Sequence, residues 1–282
     1  MGPVTRFAPA PTGRLHLGHV VNARHVWEIA RERGGRVILR IEDHDRVRCR
    51  EEYVDGILED LDWLGFVPDS VAPRQSSPER VDRYESALEQ LHDAGLVYAC
   101  DCSRREIAMD VPDRFGEEMR YPGRCRSRGL AADATAARRV RMEPGAETFT
   151  DERLGPVTQS PADQCGDVLV RDRLGNWTYQ FAVVVDDLDQ GVDLVIRGED
   201  LLSSTGRQLR LGRLLGRAAP PAFHHHALVR NPDGSKLSKS AGDTSIRELR
   251  RAGRTVDEVL RLARGDLATS VLGVEGPVIS GE

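Results

Sequence analysis

His16 and His19 stand three residues apart in Pro9-Ala10-Pro11-Thr12-Gly13-Arg14-Leu15-His16-Leu17-Gly18-His19, where a Pro- and Gly-marked loop gives way to an apolar-periodic segment. A helix start attracts phosphate through its unpaired N–H groups and its dipole. Two imidazoles on one face of that start can donate hydrogen bonds to phosphate oxygens as negative charge builds, and Gly18 leaves room for a nucleotide base against the backbone. Near the other end lies a second unusual group. Of 40 basic residues only two are lysines, Lys236 and Lys239, both within Lys236-Leu237-Ser238-Lys239-Ser240. Where lysine is otherwise replaced by arginine, these two mark a place where a compact, mobile ammonium cannot give way to a rigid guanidinium, and Gly234 and Gly242 flank the loop as hinges. The third group is sulfur. Cys100, Cys102 and Cys125 cluster, and they are three of an odd total of five cysteines, which points to a metal rather than disulfides. A tetrahedral site needs a fourth ligand, for which Tyr121, Asp101 and His92 are the nearby candidates; Cys49 and Cys165 read as incidental.

The elements that must position these groups read as α/β. Val4 to Ala8 is a short buried strand, Gly18 to Arg33 a helix stopped by Gly34-Gly35, and Arg36 to Ile41 the next strand. That β-loop-α-β opening is the start of a parallel nucleotide-binding sheet whose ligands lie beyond the carboxyl ends of its strands. Helices fit 51–64 and 78–94, the latter with Ser77 as cap and Pro78 in its first turn. From 98 to 166 the pattern turns irregular and reads as an insertion carrying the cysteines. Strands resume at 168–171, the run 178–187 leads on to 193–197, and His225 to Val229 is strand-like ahead of the loop 231–240. Helical stretches fit 246–252 and 256–263. The expected division is 1–97 for the first half of the nucleotide-binding domain, 98–166 for the insertion, 167–242 for the second half with the lysine loop, and 243–282 for a short helical end.

With 282 residues, 39% hydrophobic and 30% charged, the composition is that of a globular protein. The longest apolar run, Phe181 to Val185, cannot span a bilayer, and no signal peptide is recognised at the start, so a cytoplasmic, membrane-free monomer is expected. The net charge of −5 means that any nucleic acid must be held by local basic surface, for which 120–128 and 207–217 are the arginine-rich candidates.

Taken together, the histidine pair and the lysine loop resemble the two signatures of class I aminoacyl-tRNA synthetases, in the right order. The runs Arg6–Gly13, Ile38–Asp43, Phe181–Asp187 and Val195–Asp200 are similar to glutamyl-tRNA synthetase in particular. The resemblance covers about Arg6 to Gly242, and the anticodon-binding region of the longer members has no counterpart after it, which is similar to the short paralogues. It implies a Rossmann-like class I catalytic domain with a zinc-binding insertion in which Tyr121 completes the set of Cys100, Cys102 and Cys125. It also implies His16, His19 and Lys239 as catalytic residues, Gly18, Lys236 and Lys239 at ATP, and Arg6, Ala8, Ala10, Glu42, Tyr179 and Arg197 around L-glutamate. Mg2+ accompanies ATP. The implied acceptor is queuosine in the anticodon loop of tRNA(Asp).

Charge logic agrees independently. Glutamate has two carboxylates and one ammonium; Arg6 and Arg197 suit the former and Glu42 the latter. Where the family usually has Ser, this chain has Ala10, so one hydroxyl contact is lost. Three other readings are open: a conventional synthetase fragment charging the 3′ end of tRNA(Glu), a small-molecule adenylyltransferase on the same fold, and a non-catalytic zinc-stabilised RNA-binding module.

Overall fold

The structure is a computed structural model and describes residues 2–110, 119–131, 133, 135–230, 244–264 and 278–279. Strand β1 (Val4–Phe7) runs into the Pro9–Gly13 loop and then helix α1 (Leu17–Glu32), which buries Leu17, Val20, Val21, Ala23, Val26, Trp27 and Ala30. Gly34, at φ 60°, takes the left-handed turn that ends α1. Strand β2 (Arg36–Leu39) pairs parallel with β1, helix α2 (Glu51–Leu64) follows, and β3 (Ser70–Val71) pairs parallel with β2. The opening is therefore the parallel β-loop-α-β unit expected. Helix α3 (Pro78–Asp93) starts after Ser77 as read, but the Ser77 hydroxyl makes no cap bond and is buried without a partner; Pro78 carries the start instead.

The chain then builds β4 (Val97–Cys100), α4 (Arg104–Asp110), β5 (Ala137–Val140), β6 (Glu147–Asp151), β7 (Gly155–Gln159), α5 (Pro161–Gln164) and β8 (Val168–Arg171). Strands β4, β5 and β8 form a small antiparallel sheet, so 168–171 pairs with β5 rather than with the nucleotide-binding strands. Helix α6 (Tyr179–Asp189), β9 (Leu194–Gly198), a 3-10 turn (Glu199–Ser204), α7 (Thr205–Leu214) and β10 (Ala222–His226) return to the main body. The run 178–187, read among the strands, is thus the helix α6. Phe181 to Asp187 are all buried, so no polar face marked a helical period. Next come β11 (Val229–Arg230), α8 (Ile246–Arg251), α9 (Val256–Arg264) and β12 (Val278–Ile279). Capping boxes Ser245/Glu248 and Thr255/Glu258 start α8 and α9.

β9 and β10 pair in parallel, β6 joins β10 in parallel at Asp151 and Phe223, and β7 closes the edge antiparallel to β6. The hairpin β6–β7, which lies inside the stretch read as insertion, therefore extends the main sheet. The two parallel halves meet where Asp193 N donates to Val4 O at 3.1 Å and Val4 N donates to Asp193 Oδ1 at 2.7 Å. Strand order reverses there, and such a switch point opens a crevice beyond the strand ends. Arg40, just past β2 and fully buried, ties the halves by donating to Glu42 Oε1 (3.0 Å), Asp187 Oδ1 (2.7 Å) and Gln190 Oε1 (2.9 Å). Arg40→Met leaves Glu42 buried without its guanidinium partner and Asp187 with Arg6 alone, so chemical denaturation should register a loss of about 3–5 kcal/mol.

Candidate active site

The first part of the site is the start of α1. His16 is its N-cap: His16 Nδ1 accepts from Gly18 N and His19 Nδ1 accepts from His16 N, each at 3.1 Å, with ring centroids 4.0 Å apart. Because each neutral ring accepts at Nδ1, each carries its proton at Nε2, which makes the outer edge of both imidazoles a donor. Gly18 sits against this cap. A Cβ there would meet the His16 ring at 3.0 Å, so the glycine makes room for the capping imidazole itself. The segment after the lysine loop reaches the same place: Ser245 bridges the His16 backbone, and Ile246 N donates to Leu15 O at 2.9 Å. Lys236, Lys239, Gly234 and Gly242 lie outside the described residues.

The second part lies across the switch point. Arg6 and Arg197 sit near the carboxyl ends of β1 and β9, and both are buried. Arg6 Nε donates to Asp187 Oδ1 at 3.1 Å. Glu42 follows β2, its N–H donating to Pro9 O at 3.1 Å, which sets it against the loop that holds half-buried Ala8 and Ala10. Burial pushes the Glu42 carboxyl up, against Arg40, His44 and Arg6. Tyr179 opens α6 among these charges; burial raises its phenol, with Arg197 and Arg6 opposing and Glu42 and Asp187 adding. The fold thus brings Arg6, Glu42, Tyr179 and Arg197 together from four elements.

What the sequence reading missed is what holds them. Burial works against charge on Arg40, but Asp187, Glu42 and Asp186 outweigh it and keep the guanidinium protonated. Asp186 accepts from Gln75 Nε2 (2.7 Å), Tyr84 Oη (2.9 Å) and Arg80. Arg197 is held by His225, Gln208 and Thr205. The only sequence signal for the acidic pair was its place in the Phe181–Asp187 run, and none pointed to Gln208. The arginine-rich stretches are also spoken for: Arg210 and Arg213 pair with Glu147, Arg126 with Glu143, and Arg128 with Asp101. These pairs fasten loops and the hairpin.

The sulfur cluster assembles as read. The Sγ atoms of Cys100, Cys102 and Cys125 lie within 4.8 Å of one another, and Cys102 Sγ is 3.4 Å from Cys125 Sγ. Tyr121 Oη is 3.4 Å from Cys100 Sγ and 3.8 Å from Cys102 Sγ, close to the roughly 3.8 Å edge of a tetrahedron with metal–sulfur bonds of about 2.3 Å. Of the other candidates, Asp101 Oδ1 lies 3.2 Å from Cys125 Sγ and also accepts from Arg128 at 2.7 Å, while exposed His92 pairs with Asp93 away from the cluster. Arg139 donates to Cys100 Sγ at 3.4 Å and lies 3.7 Å over the Tyr121 ring. Against burial, Tyr121 and Arg139 pull the Cys100 thiol below its usual range. The donor set could hold a metal ion with its outer charges already placed. Back at α1, Gly18→Ala should displace the His16 ring by a few tenths of an ångström, and crystallography with a phosphate-site assay should show a shifted imidazole and weakened nucleotide binding.

A description of the class I tRNA synthetase (E and Q) catalytic domain matches residues 4–263. The chain is 39% identical to the glutamyl-Q tRNA(Asp) synthetase of Rhodobacter capsulatus over 92% of its own length and 99% of that protein's. It is also 39% identical to the glutamate–tRNA ligase of Frankia casuarinae, over 88% of its own length and 52% of the relative's. A crystal structure of a glutamate tRNA ligase from Elizabethkingia meningosepticum in complex with its amino acid superposes with a TM-score of 0.73 at 30% identity, covering 90% of this chain and 54% of that one. The chain accordingly spans about half the length of the glutamate–tRNA ligases it matches, and nearly all of the Rhodobacter relative. On this evidence the chain belongs to the class I tRNA synthetases of the glutamate and glutamine type.

Proposed function

We propose that this chain activates L-glutamate with ATP and passes the glutamyl group to queuosine in tRNA(Asp). The observation that carries the reading is the buried grouping of Arg6, Glu42, Tyr179 and Arg197, taken with an α1 start whose histidines present Nε2–H donors. A carboxylate of glutamate attacks the ATP α-phosphate and pyrophosphate leaves. Arg6 and Arg197 take the carboxylates and Glu42 the ammonium, while His16 and His19 donate to the phosphate oxygens as charge builds. Lys239, with Lys236, takes the pyrophosphate, and Mg2+ enters with ATP to neutralise its phosphates. Both flanks of that lysine segment support the assignment, since Ser245 bridges to His16 and the imidazole of His226 meets Asn22 on α1 at 3.1 Å. In the second step a hydroxyl of the queuosine cyclopentenediol attacks the activated carbonyl and AMP departs. The near-complete overlap with the Rhodobacter relative favours this acceptor over the 3′ end of tRNA(Glu). The Cys100, Cys102, Cys125 and Tyr121 set is assigned to structural zinc, and the chain to the cytoplasm.

Glutamate-dependent ATP–pyrophosphate exchange tests the first step, and acylation of tRNA(Asp) with and without queuosine, beside tRNA(Glu), tests the second. His16→Ala and His19→Ala should each lower exchange on the order of 10²-fold. Exchange with another acid in place of glutamate would instead indicate an adenylyltransferase, and no exchange a binding module. Cys125→Ser should release about one zinc per chain in metal analysis and lower the melting temperature, because the free energy of metal binding is part of the lobe's folding energy.

A further inference from the structure

The two arginines at the switch point are treated in opposite ways. Arg6 shares Asp187 with Arg40. Arg197, only 3% exposed, pairs with no carboxylate among the described residues. Its Nε donates to His225 Nε2 at 3.1 Å, one terminal nitrogen to Gln208 Oε1 at 2.7 Å and the other to Thr205 Oγ1 at 2.8 Å. A guanidinium has five N–H donors. Three are spent on neutral acceptors and the Tyr179 phenol, also neutral, interacts with the same guanidinium, so among the described residues no carboxylate hydrogen-bonds it and the N–H groups left over remain for one.

His225 is an acceptor here because of what lies behind it. Asp151 Oδ2 is 2.7 Å from His225 Nδ1 and accepts the His225 backbone N–H at 3.0 Å, while Asp151 Oδ1 accepts from Arg153 N and Leu154 N. Asp151 can only accept and Arg197 Nε can only donate, so both ends impose the same neutral tautomer on His225. Gln208 is oriented in the same manner, its Nε2 donating to Gln180 Oε1 at 2.9 Å and Gln180 in turn donating to Ser204 Oγ at 2.9 Å.

We propose that His225 and Gln208 are specificity-determining positioning residues that hold Arg197 through neutral acceptors, so that its whole charge remains for a substrate carboxylate and a neutral amide is rejected. This rests on the glutamate reading given above. A binding site that leaves a buried cation unpaired until the ligand arrives discriminates strongly against a ligand that cannot pair it.

Gln208→Glu tests it, because the change is nearly isosteric and the Gln180 amide can turn over to donate to the new carboxylate. With Arg197 already neutralised, the KM for glutamate in pyrophosphate exchange should rise about tenfold or more, the KM for ATP should hold, and the preference for glutamate over glutamine should shrink. Thermal melting should be no lower than in the parent, since a buried cation has gained a partner. Gln208→Leu removes the contact but adds no charge, so it should keep the glutamate preference. An unchanged KM and preference in Gln208→Glu, or equal loss of preference in Gln208→Leu, overturns the proposal while wild-type exchange stands. Wild-type protein without glutamate-dependent exchange overturns the functional reading itself, and this proposal with it.

Discussion

Burying guanidinium groups at the junction of two half-sheets is the constraint on which the rest of this structure depends. In a low-dielectric interior each such cation must meet negative charge or strong acceptors, or the fold does not hold. Helix α6 answers with adjacent acids: Asp187 serves Arg6 and Arg40, and Asp186 serves Arg80 and the Tyr84 hydroxyl. One helix therefore fastens β1, β2 and α3 to the crevice. Because Glu42 is tied to Arg40 and Tyr179 opens the same helix, the groups assembled at the switch point inherit their positions from this ionic scaffold.

The histidine-capped helix start is a second economy of the same kind. The hydrogen bonds that hold His16 and His19 in place are made by Nδ1, and that choice leaves the protons on the edge away from the helix backbone. Local structure and chemical role are fixed by a single set of contacts. Gly18 belongs to that arrangement, since the space its missing Cβ leaves is the space the His16 ring occupies.

How much of this could be read from the sequence depends on how local each feature is. Strand β1, the Pro- and Gly-marked loop, α1 and β2 announce themselves by turn residues and a clear 3.6-residue period, and the cysteine cluster by spacing. Helix α6 does not, because its β-branched run is covered on every side and shows no amphipathic contrast. Asp151 and His225 are 74 residues apart and meet only because β6 pairs beside β10. In the triplet His224-His225-His226, strand alternation sends His225 toward Arg197 while His226 and His224 face His25 of α1, with ring centroids 4.7 and 5.9 Å away. A sequence shows three identical letters there, and the pleat gives them two different tasks. Arg40 hid in plain view as the polar end of an apolar strand.

The β6–β7 hairpin has one more implication. It leaves the cysteine-bearing region, runs along the edge of the main sheet and returns, so that two bodies are woven from one stretch of chain. The cysteine-bearing lobe is therefore no cassette that could be cut out or grafted between relatives as a continuous segment: any excision spanning 98–166 would also carry away Asp151, and with it the backing of the residue that faces Arg197.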